Sequence, residues 1–380
     1  METFDKVINF VVRYTRRAMI YFITVIILLL SLYIYFPIAR KYSLLAGVNN
    51  RSSHKKPVIT AAGFIFYLSY IIYMIDCFVY GKEVMWFWFI GLTMLAVVSF
   101  IDDLKDVWFL IRLVAQTVAA SFLLLQIGHD TGIIMTASVS QWAAAVMMLI
   151  VAVGLFNLYN FMDGLNGMLG GLALSMSVPL LLIDLYVFDA INFVDPELIG
   201  LTIAATMVFL FFNFRAQPKC FSGDVGSIVL GYMMTYFVFS LVVKTGNVAY
   251  FLLFSAVLIE AGLTVMQRLF AGDNIFAPHR IHLFQLFCNE FYKSHRLVSS
   301  IYAGIQLGFG MVLFVMNIYE MPIWLQNCIL WPVFAVLCVT YLLIKRRKMG
   351  GHLLSYRGEN STTVKTVLTG KKKKKKMKID

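Results

Sequence analysis

The stretch Gln141-Trp-Ala-Ala-Ala-Val-Met-Met-Leu-Ile-Val-Ala-Val-Gly-Leu-Phe-Asn-Leu-Tyr159 contains no charged side chain. A helix that crosses a bilayer needs about 20 mostly apolar residues, so this run alone is long enough to span one. The rest of the chain continues the pattern, with 60% hydrophobic residues, 14% charged residues and a mean hydropathy of +0.80 over 380 residues. This composition excludes an ordinary soluble globular protein and predicts a polytopic membrane protein.

Further apolar runs of similar length predict an all-α fold with about 11 transmembrane helices. The candidate spans are residues 18–36, 60–80, 84–101, 108–127, 141–159, 168–188, 197–214, 225–243, 247–268, 298–317 and 323–344. No intervening stretch suits a separate soluble domain, so we expect residues 1–344 to form a single transmembrane domain. Residues 345–380, which include six lysines from Lys371 to Lys376, are expected to be a basic, disordered cytoplasmic tail.

Basic residues are distributed unequally between the two predicted sides of the membrane. Loops after odd-numbered helices contain Arg40, Lys41, Arg51, Lys55, Lys56, Lys105, Arg215, Lys219, Arg280, Lys293 and Arg296, whereas loops after even-numbered helices contain Lys82 and Lys244. Because cytoplasmic loops carry the excess of Lys and Arg, the odd-numbered side is predicted to be cytoplasmic. Arg13, Arg16 and Arg17 disagree, since they precede the first span. We expect a short interfacial helix with snorkelling arginines there, the alternative being a helix count that is off by one.

Three polar stretches interrupt the apolar sequence, each where an apolar run ends. They are Ser99-Phe-Ile-Asp-Asp-Leu-Lys-Asp106, Asn157-Leu-Tyr-Asn-Phe-Met-Asp-Gly-Leu-Asn-Gly167 and Ser222-Gly-Asp-Val-Gly-Ser227. All three lie on the predicted cytoplasmic side, together with the loop Ala277-Pro-His-Arg-Ile-His-Leu-Phe-Gln285. Carboxylates at a membrane boundary are energetically costly, so a set of them at corresponding helix ends favours a bound cation and an anionic substrate.

The residue types in these stretches suit phosphoryl transfer. Carboxylates and amides supply the hard oxygen ligands that Mg²⁺ uses together with substrate phosphates, and they are Asp102, Asp103, Asp163, Asp224, Asn157 and Asn160. The glycines of residues 223–227 let backbone N–H groups at the start of a helix approach phosphate oxygens. Bound Mg²⁺ and the cationic or polar side chains of Lys105, His279, Arg280 and His282 would neutralise charge as phosphoryl oxygens change partners.

Each feature taken alone has an ordinary structural explanation. Asp102 and Asp103 could cap the fourth helix, Asp163-Gly and Asn166-Gly are common turn signals, and interfacial histidines often only form hydrogen bonds. Their common order and common face favour a site instead.

A different class of function is a transporter or flippase with a cytoplasmic ion-binding vestibule. It predicts ionisable residues near the bilayer midplane and helices broken in paired halves. Asp76 and Glu260 are the mid-span acids, and we expect each to face a neighbouring helix. A phosphatidyl-alcohol synthase would need its own set of aspartates along one helix pair. The net charge of +12 comes largely from the lysine-rich tail, so it does not predict nucleic-acid binding.

In this order, the motifs resemble those of the polyprenyl-phosphate N-acetylhexosamine-1-phosphate transferase superfamily, of glycosyltransferase family 4 type, over roughly residues 40–300. Two further stretches, Asn50-Arg-Ser-Ser-His-Lys-Lys-Pro57 and Pro278-His-Arg-Ile-His-Leu-Phe-Gln285, look most like the branch that initiates O-antigen and exopolysaccharide synthesis, similar to undecaprenyl-phosphate GlcNAc-1-phosphate transferases. The peptidoglycan branch instead carries a run of consecutive histidines, which this chain lacks.

The resemblance implies a role for each matching residue. It implies that Asn160 and Asp224 ligate Mg²⁺, with Mn²⁺ as an alternative ion, and that the catalytic carboxylates are Asp102, Asp103, Asp163 and Asp224. Asp102 and Asp103 would lie by the lipid phosphate. The implied substrate-binding residues are Arg51, His54, Lys105, Asn157, Asn166, Gly226, Ser227, His279, Arg280 and His282.

The implied activity is transfer of N-acetylhexosamine-1-phosphate, with GlcNAc-1-phosphate expected, from a UDP-sugar to undecaprenyl phosphate, with release of UMP. This reaction would start O-antigen, capsule or other cell-surface glycan synthesis at the bacterial inner membrane. The expected partners are UDP-N-acetylhexosamine, undecaprenyl phosphate and membrane lipid, and a homodimer is kept open. Direct displacement and a transient aspartyl-phosphate are both compatible with these residues.

Two positions depart from the family pattern. Asn166 stands where most bacterial members have Asp, which excludes a catalytic carboxylate there and leaves nucleoside recognition as its expected role. Ala61-Ala-Gly63 replaces a run of glycines after Pro57, so the family pattern does not define the packing of this segment or a backbone contact there.

Overall fold

The computed structural model describes residues 2–46, 57–132, 139–187, 193–273, 281–289 and 291–348, with side chains from residue 15 onward. Four predicted substrate-binding residues lie outside the described residues, namely Arg51, His54, His279 and Arg280. The lysine-rich end from residue 349 also lies outside them.

The described chain is almost entirely helical. The long helices are α1 (Glu2–Lys41), α2 (Phe64–Val79), α3 (Trp86–Leu104), α4 (Phe109–Thr131), α5 (Val139–Phe161), α6 (Met168–Tyr186), α7 (Pro196–Asn213), α8 (Gly223–Thr245), α12 (His295–Ile318) and α13 (Ile323–Lys348). The segment Val248–Phe270 comprises a 3₁₀ helix (Val248–Phe254), α9 (Ser255–Val257), a π-helix (Leu258–Gly262) and α10 (Leu263–Phe270). A short helix, α11 (Leu283–Asn289), precedes α12.

The helices confirm the predicted fold class. Among the described residues, 10 helical segments are long and apolar enough to cross a membrane, and Phe64–Val79 is a shorter apolar helix. Together they account for every predicted span. The last helix continues through Lys348, so the expected domain boundary after residue 344 falls inside α13. All five cysteines, which are scattered along the sequence, are free.

The first helix differs from expectation. No separate interfacial helix precedes the first span, because α1 is continuous from Glu2 to Lys41. The guanidinium of Arg16 forms an ion pair with Asp76 in α2, and Arg17 Nε lies 3.4 Å from Glu197 Oε1 in α7. Arg16 and Arg17, two of the three arginines that disagreed with the charge distribution, are therefore paired with protein carboxylates, and the helix count stands. The side chain of Arg13 lies outside the described residues.

Helix α8 is the centre of the bundle. In its apolar stretch 94% of the residues are buried, whereas the corresponding share is 17% in α5 and 11% in α13. It packs against α2, α3, α4 and α5, so the first turn of α8 is surrounded by other helix ends. The outer helices expose large apolar side chains, which suits contact with lipid tails.

A short extended segment attaches the start of α2 to the start of α8. Strand β1 (Leu45–Ala46) pairs antiparallel with β2 (Val58–Ile59), and Phe221 N donates to Ile59 O at 2.7 Å. A Cβ at Gly63 would lie 2.2 Å from Gly226 Cα, so the two backbones touch and only glycine fits. The backbone before α8 is thereby held in one position.

Candidate active site

Four carboxylates from three parts of the chain meet at one end of the bundle. Asp102 and Asp103 lie in the last turn of α3, Asp163 lies in the turn between α5 and α6, and Asp224 lies in the first turn of α8. Hydrogen bonds and ion pairs join all of them to the residues around the start of α8, in the case of Asp102 through Arg112. We call Asp102, Asp103, Asp163 and Asp224 the carboxylate cluster. The structure therefore brings together the three polar stretches that the sequence analysis grouped.

Asp103 caps helix α8. Its Oδ1 accepts a hydrogen bond from Asp224 N at 2.9 Å, and its Oδ2 accepts one from Val225 N at 3.0 Å. Gly223 adopts φ +70°, and a Cβ there would lie 2.5 Å from Asp103 Oδ2, so glycine is required by both conformation and space. The glycines at the start of α8 predict that its first N–H groups bind a substrate phosphate. That expectation needs correction, because two of them bind Asp103.

Asp102 also has a structural partner. Its Oδ1 accepts from Val107 N at 2.7 Å in the turn before α4, and its Oδ2 lies 2.6 Å from Arg112 Nη1. Asp102 therefore binds the backbone before α4 and not an N–H group of that helix, so the predicted alternative, a pair of aspartates that caps the fourth helix, is not formed. Asp103 caps a helix that is far away in sequence.

Arg112 is a site residue that the sequence analysis missed. Its Nη1 lies 2.6 Å from Asp102 Oδ2 and 3.7 Å from Asp224 Oδ2. An arginine inside an apolar span is costly unless it is paired, and this general rule is the signal that could have identified it. Among the described residues, the cluster has four carboxylates and this one paired arginine, so it retains excess negative charge.

Asn160 and Asp224, the two residues predicted to ligate one cation, are in direct contact. Asn160 Nδ2 donates to Asp224 Oδ1 at 3.0 Å and to Ser227 Oγ at 2.8 Å. Ser227 is fully buried and donates to Gly223 O at 3.2 Å, so it holds Asn160 from beneath. About one turn earlier in α5, the side-chain amide of Asn157 pairs with that of Gln116 in α4, and Asn157 Nδ2 lies 2.6 Å from Gln116 Oε1. Gln116 is a second neighbour that no motif indicated.

The surroundings of Asn160 and Asp224 suit a Mg²⁺ ion that is shared with a substrate. Within the described part of the chain, no three His, Cys, Asp or Glu side chains converge into a protein-only metal site. Mg²⁺ is usually held by one or two carboxylates together with substrate phosphates, so a three-residue cage is not required. The Asp224 side chain is 40% exposed, and the amide of Asn160, turned over, presents its oxygen to the same space. This pair fits a divalent cation that a phosphate substrate shares.

Asp163 lies outside the spans, in the turn after α5. Burial raises the pKa of its carboxyl from 3.8 to about 7, the hydroxyl of Ser222 lowers it in part, and the nearby charge of Asp224 raises it. Ser222 Oγ donates to Asp163 Oδ2. Near neutral pH both protonation states of Asp163 are therefore populated, and its carboxyl can hold or release a proton beside the cluster.

Two of three further predicted substrate-binding residues, Asn166 and Gly226, have structural partners, whereas the third, Lys105, is open to solvent. Asn166 is 5% exposed, and its Nδ2 donates to Arg215 O at 2.9 Å. Gly226 is buried where a Cβ would lie 2.8 Å from Gly63 Cα, so backbone packing explains this glycine. Lys105 is exposed, directly after α3. Substrate contacts of these residues stay predictions.

His282 is deeply buried, and it faces a mid-span acid. The residue is 3% exposed, and its Nδ1 lies 3.3 Å from Glu260 Oε1. Asp76, the other mid-span acid, is paired with Arg16 and lies 3.2 Å from Lys82 Nζ. The expectation that Asp76 and Glu260 face protein neighbours is confirmed.

The segment that carries the carboxylate cluster matches a known family. Residues 85–242 match the family model of glycosyl transferase family 4. We call these residues the family 4 segment. All three polar stretches, from residue 99 to residue 227, lie within this family 4 segment. The resemblance inferred from their order is confirmed.

Curated relatives belong to the same superfamily. The chain is 23% identical over 321 residues to the probable undecaprenyl-phosphate N-acetylglucosaminyl 1-phosphate transferase of Bacillus subtilis (strain 168), which covers 80% of this chain and 87% of the relative. It is 26% identical over 213 residues to the decaprenyl-phosphate N-acetylglucosaminephosphotransferase of Mycobacterium leprae (strain TN), covering 51% and 52%. It is 30% identical over 153 residues to the phospho-N-acetylmuramoyl-pentapeptide-transferase of Thermotoga maritima, covering 37% and 48%. The chain spans about half the length of the last two relatives.

Proposed function

We propose that the protein transfers N-acetylhexosamine-1-phosphate from a UDP-sugar to undecaprenyl phosphate and releases UMP. GlcNAc-1-phosphate is the group we expect, and the product would start O-antigen, capsule or another cell-surface glycan. The family 4 segment and the similarity to polyprenyl-phosphate N-acetylglucosamine-1-phosphate transferases support a polyprenyl-phosphate sugar-1-phosphate transferase. The observation that carries the proposal is the carboxylate cluster around the contact between Asn160 and Asp224.

The proposed reaction exchanges one phosphoric anhydride for another. An oxygen of the lipid phosphate attacks the β-phosphorus of the UDP-sugar, a new P–O bond forms, and the bond between the β-phosphorus and the bridging oxygen breaks. That oxygen leaves on UMP. Because a phosphate monoester has a second pKa of about 6, the attacking group is largely ionised at neutral pH and needs no strong base.

The residues of the chain would orient the two substrates and balance charge. Asn160 and Asp224 would hold Mg²⁺, which supplies neutralisation of the phosphate oxygens when bound. Lys105, exposed at the end of α3, would hold the lipid phosphate beside Asp102 and Asp103. Asp103 has a second task in this scheme, since its hydrogen bonds to Asp224 N and Val225 N set where Asp224 stands.

We infer that the carboxylate cluster faces the cytoplasm of a bacterial inner membrane. At that end of the helices lie Arg40, Lys41, Lys105, Arg215, Lys219, Lys293 and Arg296. The exposed Lys293 and Glu83 sit at opposite ends of the bundle, so Lys293→Cys and Glu83→Cys form a matched pair in a cysteine-free background. An impermeant thiol reagent added to intact cells should label only the second variant. Labelling of the first alone would invert the orientation.

The activity test uses purified protein with undecaprenyl phosphate and a panel of UDP-sugars, and it measures UMP release. We expect release with a UDP-N-acetylhexosamine, most of all UDP-GlcNAc, and loss of release with EDTA that added Mg²⁺ or Mn²⁺ restores. No UMP with any sugar in the panel would refute the proposed function. Release that EDTA leaves unchanged would refute the cation.

A further inference from the structure

The span Val248–Phe270 is irregular at the position of a buried acid. Its π-helix, Leu258–Gly262, lies between short helical pieces and contains Glu260, which is fully buried. Single π turns inside helices occur frequently at functional sites, because the extra residue redirects a side chain. The proposed reaction uses no group on this segment, so the carboxylate of Glu260 requires another explanation.

Donors from three separate elements converge on Glu260. Leu283 N, the first backbone N–H of α11, donates to Oε1 at 2.7 Å, and His282 Nδ1 lies 3.3 Å from the same oxygen. Tyr341 OH of α13 also donates to Oε1, at 3.0 Å, while Tyr302 OH of α12 donates to Oε2. A carboxylate only accepts hydrogen bonds, so His282 carries its proton on Nδ1. One side chain therefore fixes the start of α11 and the tautomer of His282.

The segment that Glu260 holds also lies against the family 4 motif. The ring of His282 stacks on Phe284 with centroids 5.1 Å apart, and it lies 6.5 Å from the ring of Phe161. A Cβ at Gly164 would lie 2.8 Å from Phe284 Cε2, so the residues after Ile281 touch the turn that contains Asp163. The path from Glu260 to the carboxylate cluster is thus a chain of direct contacts.

Stability alone does not explain a carboxylate at this position. Removing an acid from water is costly, and replacement of a buried charged network by well-packed apolar groups is often neutral or stabilising. An apolar side chain, however, would leave Leu283 N and His282 without their acceptor and would not define where they stand. What the carboxylate adds is a fixed position for the start of α11.

We propose that Glu260 is a positioning residue for the nucleotide-sugar donor. Through His282 and Leu283 it holds the segment that follows residue 280 against the turn of Asp163, and it does not touch the reacting atoms. The inference rests on the proposed function. It assigns the task to one side chain outside the family 4 segment.

The test is a comparison of steady-state constants for UMP release. Glu260→Gln keeps the shape and removes the charge that strengthens the bonds to His282 and Leu283. We expect the KM for the UDP-sugar to rise about tenfold, which is less than the roughly 10²-fold that a 1 Å misplacement can cost. The kcat and the KM for undecaprenyl phosphate should remain within about twofold, because a positioning role acts mainly on donor binding.

Tyr302→Phe is the matched control. It removes one hydrogen-bond donor to the Glu260 carboxylate and leaves the contacts of Glu260 with His282 and Leu283 in place. The KM for the UDP-sugar should therefore stay close to wild type. Glu260→Asp withdraws the carboxylate by one methylene and should also raise the donor KM, which keeps the test available if Glu260→Gln does not fold. Wild-type donor KM in the folded Glu260 variants, or a loss of kcat without a KM change, would overturn the proposal.

A second readout separates this proposal from the proposed function. Backbone amides of residues 281–289 should exchange with deuterium faster in Glu260→Gln than in wild type, whether or not UMP is released. Unchanged exchange would overturn the anchoring of this loop. Absence of UMP release by the wild-type protein would instead refute the proposed function.

Discussion

The acidic residues at the two ends of the helix bundle differ in how many basic partners they have. At the end away from the carboxylate cluster, α1, α2 and α7 contribute an ion-pair cluster composed of Asp76, Asp195, Glu197, Arg16, Arg17 and Lys82. Lys82 Nζ lies 3.2 Å from Asp76 Oδ2 and 3.1 Å from Asp195 Oδ2, and it also pairs with Glu197. Here acids and bases are equal in number. In the carboxylate cluster, by contrast, four acids share Arg112.

The difference separates a structural from a functional use of charge. Where every buried acid has a basic partner, the charges neutralise each other, and loss of one partner chiefly destabilises the fold. Acids that outnumber the bases around them repel one another, and a bound cation would reduce this repulsion. Substitutions at the first end should therefore change stability, and substitutions at the second should change activity.

The largest effect is expected at Asp224. Asp224→Ala removes a proposed Mg²⁺ ligand, so UMP release should be abolished. The free energy of unfolding in detergent should stay equal or rise, because one of the repelling charges is gone. Chelation by EDTA should reproduce the loss in the wild-type protein, reversibly. If the variant retained most of its activity, Asp224 would have no place in the site.

Glu197→Ala should give the reverse pattern at the other end. Glu197 is 3% exposed and pairs with Arg16, Arg17 and Lys82. We expect the free energy of unfolding to fall by about 3 kcal/mol, at the low end for a broken buried pair because the basic side chains reach solvent. Denaturation in detergent measures the change. UMP release per folded molecule should be preserved, and a selective loss of turnover would contradict the structural assignment.

Length and apolarity were enough to predict the spans, because the bilayer sets a minimum number of residues for each. Motif order was enough to bring Asp102, Asp163 and Asp224 together, since all follow or precede spans on one side. The hydrogen-bond partners that could not be predicted from the sequence depend on which helices pack against each other. The cap that Asp103 forms on α8 joins residues 121 apart, and the bond from Tyr341 to Glu260 joins residues 81 apart. No local pattern encodes such partners.

Asp103 tests whether one residue serves both structure and chemistry. Asp103→Asn leaves a single acceptor oxygen for two N–H groups, so the free energy of unfolding should fall by about 1 kcal/mol. The kcat for UMP release should fall as well, with little change in the KM of the UDP-sugar, the pattern of an interaction used mainly in the transition state. A change confined to UDP-sugar affinity would remove Asp103 from the reacting phosphate.

The smallest effects concern backbone strain, and they allow the two ends to be compared directly. Ala61, beside the carboxylate cluster, adopts φ +56°, and Gly81, beside the ion-pair cluster, adopts φ +62° with nothing within 4 Å of an added Cβ. A left-handed conformation costs a residue with a Cβ about 1–2 kcal/mol. Replacing alanine by glycine also gives the unfolded chain more conformational freedom, which lowers stability by up to about 1 kcal/mol and offsets part of that cost. Ala61→Gly should therefore raise the free energy of unfolding by less than about 1 kcal/mol, and Gly81→Ala should lower it by a similar amount. Both variants should release UMP at the wild-type rate. A destabilised Ala61→Gly protein would show that the Ala61 methyl group packs against the start of α8 strongly enough to outweigh its strain.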